Sequence, residues 1–374
     1  MIPEKLFELS RNHDSKEKLR QERSRKILKQ LTSEMPSDNS SYSDWVTYQK
    51  AYSEYMFLNS DKDNSELFKA VNSVFVKWIK GHYDSLGFEV CESPVVLSKI
   101  VDFLKQKKAA ERKKIALIVM DGMSYSQWLT VKSCISDKFG FSFEEKTSMA
   151  CIPTLTSVSR QSIFSGLYPK FFSSTILKTT AEPQLWEKAW SDICHSLYLK
   201  NNGTGKADEV LCQIMPSNQV VGIVINTIDD LMHSTILGNK EYYDRIKIWM
   251  EKSFLTDLLI GLIDSGYNVW ITSDHGNIPA TGVGSLRVGK LAETKGARAC
   301  IMPSVELRNQ VVKGNPYSES WDSSILPNES FSTLVAKDNY AFISKNSKEI
   351  SHGGISIDEV MVPFIRVYRK ENDR

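Results

Sequence analysis

The stretch IALIVMDG at residues 115–122 decides how this chain folds. An unbroken apolar run that ends on an acid and a glycine is the pattern of a strand buried on both faces, delivering its last polar residue to the carboxyl edge of a parallel sheet. Two later runs repeat the pattern: VVGIVINTID at 220–229 ends on Asp229, and YNVWITSDHG at 267–276 ends on Asp274 and His275. Between them, EYYDRIKIWMEKSFLTDLLIGLIDS at 241–265 has helical periodicity and the length of a crossover helix. Strands alternating with helices predict an α/β fold. Its mostly parallel central sheet should be covered by helices on both faces, with a ligand crevice at the carboxyl ends of the strands.

Outward from this core, residues 1–110 read as a helical region, with amphipathic stretches near 17–31 and 66–81 separated by the turn signals MPSDNSS (35–41) and NSDKDNS (59–65). The basic run KQKKAAERKK at 105–114 marks the boundary to a second region, 111–374. This run and the earlier RNHDSKEKLRQERSRKILK at 11–29 read as solvated helix faces before they read as phosphate contacts. A formal net charge of +2 argues for no nucleic-acid partner by itself. The 41% hydrophobic and 25% charged composition is that of a globular protein rather than a disordered one. The N-terminus lacks the apolar core of a signal peptide, and no later run approaches the ~18 apolar residues of a membrane span. The six cysteines contain no C-x-x-C pair, so free thiols in a reducing cytoplasm are expected.

Hydrolytic two-metal sites gather carboxylates and imidazoles from several strand ends, placing two cations about 4 Å apart. The sequence offers Asp121 in VMDGMS, Asp229 and His233 as D-x-x-x-H, the adjacent Asp274 and His275 in SDHGN, and His352 in SHGG. Alone, each has an ordinary meaning: a helix cap, an i,i+4 pair, a tight turn. Their convergence at the ends of three apolar strands favours a metal site, with zinc preferred and manganese the alternative. The segment TSMACIPTLTSVSRQSIFSGLYP at 147–169 supplies hydroxyls. Thr156 opens a helical run, where the N-terminal N–H groups and dipole favour an anion and would suit a nucleophile. Thr154, Thr156 and Ser157 are also ordinary N-cap candidates.

Taken together, VMDGMS, PTLTSVSRQSIFSGLYP, SDHGN followed by TGVGSLRVGKLAETKGARA, and SHGGISIDEVMVPFI resemble the PglZ family of the alkaline phosphatase superfamily over roughly residues 115–370. DWVTYQKAY and NSVFVKWI extend the resemblance loosely into the N-terminal helices. The resemblance implies an alkaline-phosphatase-like sandwich as the catalytic domain, 111–374, behind the N-terminal helical region, 1–110. It implies one metal on Asp121, Asp274, His275 and Thr156, and the other on Asp229, His233 and His352. The related nucleotide pyrophosphatase/phosphodiesterase enzymes carry P-T-x-T followed by a helix ending in T-G-L-Y-P. Matching that ending to SGLYP selects Thr156 over Thr154 as nucleophile. Their phosphate-side Asn is absent here, which leaves Ser159 or Arg160 as the replacement oxyanion contact.

The implied activity is a two-metal phosphodiesterase acting on a nucleotide or oligonucleotide. Its setting would be a bacterial phage-defence system of the BREX type, with partner proteins of a defence complex and no membrane. The chain shows no acidic-pair strand of a receiver domain, which favours the defence setting over the family's two-component role. Competing readings are an assembly module with weak catalysis and a phosphotransferase. Two near-motifs are rejected: CIPTL has Leu155 where a sulfatase C-x-P-x-R needs Arg, and the P-loop-like run from Gly284 to Lys290 is followed by Leu291 instead of Ser or Thr. Arg287, Lys290 and Arg298 remain candidates for substrate phosphates.

Overall fold

The computed structural model describes residues 2–135, 139–235, 238–286, 290–291, 296–327 and 331–369, with side chains from residue 15 onward except at 290 and 291. Its centre is a six-stranded sheet of β1 (Lys114–Met120), β2 (Phe141–Met149), β3 (Ser196–Asn201), β4 (Val220–Ile225), β5 (Tyr267–Thr272) and β6 (Met361–Arg369), in the order β2-β6-β5-β1-β4-β3. Strands β5, β1, β4 and β3 pair in parallel, and β6 lies antiparallel to both β5 and β2. The sheet is therefore mostly parallel but mixed. Because β6 runs against the others, its start lies level with their ends: Met361 pairs with Met149, the last residue of β2. Likewise Met120 pairs with Ile225.

The apolar runs bury both faces by alternation, as a period of two requires. Ala116, Ile118, Met120, Val221, Ile223, Val269 and Ile271 share a cluster with Trp128 and with Ile246, Leu258 and Leu262 of the crossover segment. Ile115, Leu117, Val119, Val224 and Trp270 point the other way, against Leu97, Ile100, Leu104, Phe164, Trp186 and Trp190. The expected single crossover helix at 241–265 is two helices, Asn239–Met250 and Phe254–Asp264. Ser253 breaks it, standing in the left-handed region at φ 61°. The segment between β5 and β6 adds a four-stranded and a three-stranded sheet, which the sequence reading had not resolved.

The N-terminal region is helical as expected: α1 (Ile2–Ser33), α2 (Tyr42–Leu58) and α3 (Ser65–His82). Its turn at residue 41 is a capping box, with the Ser41 and Asp44 side chains satisfying each other's backbone N–H. The apolar faces of these helices, including Trp45, Tyr52, Phe75 and Trp78, share one hydrophobic cluster with Cys151, Ile152, Leu155, Val360 and Met361. Hydrogen bonds cross the same boundary, since Tyr42 Oη donates to the Thr147 carbonyl at 2.6 Å and the Ile152 N–H donates to Tyr83 Oη at 2.7 Å. Helices α2 and α3 thus buttress the loop that leads from β2 to Thr156. No helix among the described residues is long and apolar enough to cross a membrane.

Candidate metal centre

Strand ends bring the first three ligand candidates together. Asp121 follows β1, and Asp274 and His275 follow β5, its parallel neighbour. Gly122 turns the chain at φ 72°, and a Cβ there would lie 3.4 Å from that of Asp229, so the turn needs glycine and the two ligand groups sit back to back. Gly276 is required on different grounds, because a Cβ would fall 1.9 Å from the Asp358 carbonyl. Asp274 Oδ1 accepts the N–H groups of Gly122 and His275, each at 3.0 Å. Asp121 Oδ2 accepts from Arg160 Nη1 at 3.1 Å. The other oxygen of each carboxylate, Asp121 Oδ1 and Asp274 Oδ2, is buried with no hydrogen-bond partner among the described residues. His275 Nδ1 bonds to the Gly276 carbonyl at 2.9 Å. That leaves Nε2 facing Thr156 Oγ1 at 3.0 Å, with Asp274 Oδ2 and Asp121 Oδ1 at 3.8 and 3.9 Å.

The second group forms around the short helix Thr227–His233 that follows β4. One helical turn brings His233 Nε2 to 3.2 Å from Asp229 Oδ1. His352 reaches them from the segment before β6, its Nδ1 bonded to the Thr154 carbonyl at 3.0 Å and its Nε2 buried without a partner among the described residues. Its ring stacks on that of His275, centroids 3.9 Å apart, so the two groups share a wall of imidazoles. Asp229, His233 and His352 offer ligand atoms within 4.8 Å of one another, and so do Asp121, Asp274 and His275.

Burial pushes the Asp121 and Asp274 carboxyls above their usual range, each also raised by a neighbouring carboxylate and opposed by Arg160. Burial acts on Asp229 too, but the His233 hydrogen bond and the surrounding imidazoles outweigh it and hold that carboxyl below its ordinary value. His275 is pushed well below the usual imidazole range by burial and by His352, which favours the neutral ring that ligates metal. Buried carboxylates stripped of water need a compensating charge. Hard oxygen and borderline nitrogen donors, among them Asp121 Oδ1, Asp274 Oδ2 and His352 Nε2 with no partner among the described residues, fit a divalent cation in each group.

The structure also separates the two threonines. Thr154 Oγ1 donates to the Gly354 carbonyl at 2.8 Å and accepts the Gly353 N–H at 3.1 Å, so it fastens the His352 loop. Thr156 opens the helix Thr156–Ser165 beside His275. The expected substrate contacts fare differently. Ser159 is wholly buried and its hydroxyl accepts the Cys151 N–H at 3.2 Å, while Arg160, 1% exposed, is held by Glu182 and Asp121. Neither replaces a phosphate-side Asn in this arrangement. Arg298 is likewise no phosphate contact: it is 1% exposed, paired with Glu359 at 2.9 Å and bonded to the Asp338 and Tyr340 carbonyls. Arg287 and the Lys290 side chain lie outside the described residues.

Sequence reasoning missed Glu182, Tyr198, Gln127 and Asn277. Asn277 donates to the Gly122 carbonyl at 2.6 Å and accepts from Gln127 Nε2 at 2.7 Å, bracing the Asp121 turn. Its place in SDHGN was a signal. Glu182 had none, since an acid before a proline reads as an ordinary helix start.

The family model described as BREX system PglZ alkaline phosphatase-like domain matches residues 98–367. No curated protein matches the chain by sequence. Among solved structures, an inactive variant of murine ectonucleotide pyrophosphatase/phosphodiesterase 5 in complex with AMP is 12% identical, with a TM-score of 0.47, covering 68% of this chain and 87% of its own. Phosphonoacetate hydrolase from Sinorhizobium meliloti, in complex with phosphonoformate, is 13% identical, with a TM-score of 0.39, covering 70% of this chain and 91% of its own. The family match starts just before the helix Ile100–Glu111 that packs on the sheet and ends in β6, so it takes in all of the sheet but the last two residues of β6, and every candidate ligand; the chain belongs to the PglZ family of alkaline phosphatase-like domains.

Proposed function

We propose that the chain is a metal-dependent phosphoesterase of the two-metal type, with Thr156 as its nucleophile. The observation that carries this reading is the position of Thr156 Oγ1, 3.0 Å from His275 Nε2 at a helix N-terminus and next to buried carboxylate oxygens that lack partners among the described residues. Asp121, Asp274 and His275, with Thr156, would hold one cation, and Asp229, His233 and His352 the other. Two bound divalent cations, zinc in preference to manganese, would supply Lewis-acid stabilisation of the charge that develops on the phosphoryl oxygens.

The chain's own residues supply the rest. Thr156 Oγ1 attacks phosphorus in line and forms a phosphothreonine as the leaving alcohol departs; water then cleaves it and restores the hydroxyl. The Gly276 carbonyl holds the His275 Nδ1 proton, and the Thr154 carbonyl that of His352, so that Nε2 of each ring faces the centre.

A diester preference rests on the P-T-x-T and G-L-Y-P pattern around Thr156, and a nucleotide or oligonucleotide is the substrate class that pattern suggests. The family description supports a setting in a BREX-type system, with partner proteins of such a system as the expected company, and the lack of a disulfide among the described residues accords with the cytoplasm. The test is hydrolysis of bis-p-nitrophenyl phosphate against p-nitrophenyl phosphate with zinc or manganese added. Turnover of the diester that is lost in Thr156→Ala is expected. Full activity of a metal-replete Thr156→Ala protein rejects the nucleophile, and transfer of the phosphoryl group to an added alcohol in place of water makes the enzyme a phosphotransferase.

A further inference from the structure

We infer that Arg160 and Glu182 form a positioning clamp for the first metal group, one that fixes which oxygen of Asp121 is available and sets the charge a cation meets there. The inference rests on the metal-centre reading above. The Glu182 carboxylate grips the guanidinium with two bonds, from Nε at 3.0 Å and from Nη2 at 2.6 Å. This leaves Nη1 directed at Asp121 Oδ2, 3.1 Å away, while Oδ1 has no partner among the described residues. Tyr198 of β3 donates its hydroxyl to Glu182 Oε2, the oxygen that also accepts from Arg160 Nη2. Arg160 is 1% exposed and Glu182 0%, so water competes for neither.

Two features distinguish this arrangement from a buried ion pair that serves only the fold. The first is connectivity. Arg160 lies four residues after Thr156 on one helix, so the element that presents the nucleophile also orients a carboxylate of the same metal group. A rotation of that helix would shift both together. The second is charge. A lone guanidinium against Asp121 would cancel its charge and repel an incoming cation, and Glu182 restores the balance without touching Asp121. Arg160 therefore orients Asp121 while the group keeps the negative charge of Asp121 and Asp274. Planar bidentate pairing is what an arginine can do here and a lysine cannot.

The experiment is cation binding to the full chain without substrate, by calorimetry with zinc and with manganese, in an Asp229→Ala/His233→Ala background that leaves the second group one of its three candidate ligands. Glu182→Gln and Arg160→Lys are expected to weaken the remaining site about 10- to 100-fold, the usual loss when a ligand's supporting partner is removed. Because a half-broken buried pair endangers folding, the double variant Arg160→Met/Glu182→Leu is measured alongside: it replaces the pair with apolar side chains of similar size, which folds commonly tolerate. Its melting temperature without metal should stay near that of the parent while cation affinity falls. A parent-like affinity in the folded double variant, or a lower melting temperature with unchanged affinity, overturns the clamp. If even the chain with Asp229 and His233 intact takes up no cation, the metal-centre reading fails and the clamp with it, an outcome distinct from a loaded parent with unaffected variants.

Discussion

The two ligand groups of this domain are built from similar residues but on different supports. Asp121, Asp274 and His275 are at most 4% exposed, come off two adjacent strands, and are braced by backbone N–H groups, Arg160 and Asn277. Asp229 and His233 stand on a seven-residue helix, and the His233 side chain is 23% exposed. Strand ends locked in a sheet hold ligand atoms with little freedom, whereas a short helix at the protein surface opens locally at lower cost. On the proposed two-metal reading, the enclosed group would keep its cation and align Thr156. On the same reading, the second group would exchange its cation more readily through His233, since Asp229 and His352 are buried.

Breaking the enclosed group should have the largest effect. Asp274→Ala or Thr156→Ala is expected to lower diester hydrolysis on the order of 10³-fold or more. Elemental analysis after dialysis should show Asp274→Ala short of one cation and Thr156→Ala retaining both. Equal metal loss in the two variants would contradict the assignment of Asp274 as ligand and Thr156 as nucleophile. Breaking the second group should cost less, because His233→Ala leaves two of its three ligands. A fall of about 10- to 100-fold in affinity for the second cation is expected, with activity recovering as zinc or manganese is raised. A variant that stays inactive at saturating metal would show that His233 does more than bind.

A smaller effect comes from the loop that joins the groups. Thr154→Val removes both bonds to Gly353 and Gly354, and should lower stability by about 2 kcal/mol in a denaturant melt while leaving residual turnover well above that of Thr156→Ala. The smallest lies beyond His352, where Tyr52 of α2 donates to Asp358 Oδ2 at 2.9 Å. Burial pushes the Asp358 carboxyl up to about 7. The folded chain therefore keeps a proton that the unfolded chain has released. Stability from this group is present below the unfolded value of about 4 and is lost as pH rises through the folded one. Asp358→Asn should flatten that decline and stabilise the protein at pH 8 by about 1 kcal/mol. An unchanged slope between acid and neutral pH would place the proton elsewhere.

How much of this could be read in advance follows from the range of each interaction. The run 115–122 carried its own strand, its own burial and its own ligand, because period and composition are local. The same holds for 220–229 and 267–276; five of the six protein ligand candidates were named from these runs and SHGG, and the sixth, His233, from the D-x-x-x-H that continues the second run. Arg160 was read as a substrate contact because nothing near it in sequence announces Glu182, 22 residues away, as its partner. Arg298 was misread likewise, its charge being spent on Glu359, 61 residues on. The sequence by itself determined the strands and the chemistry at their ends, since alternating burial and ligand type are properties of single segments. Only the tertiary structure decided that β6 reverses to bring His352 across from His275, that Thr154 fastens a loop while Thr156 faces His275, and that one group is fully enclosed while the other reaches the surface at His233. Those are relations between distant segments, and packing alone brings such segments into contact.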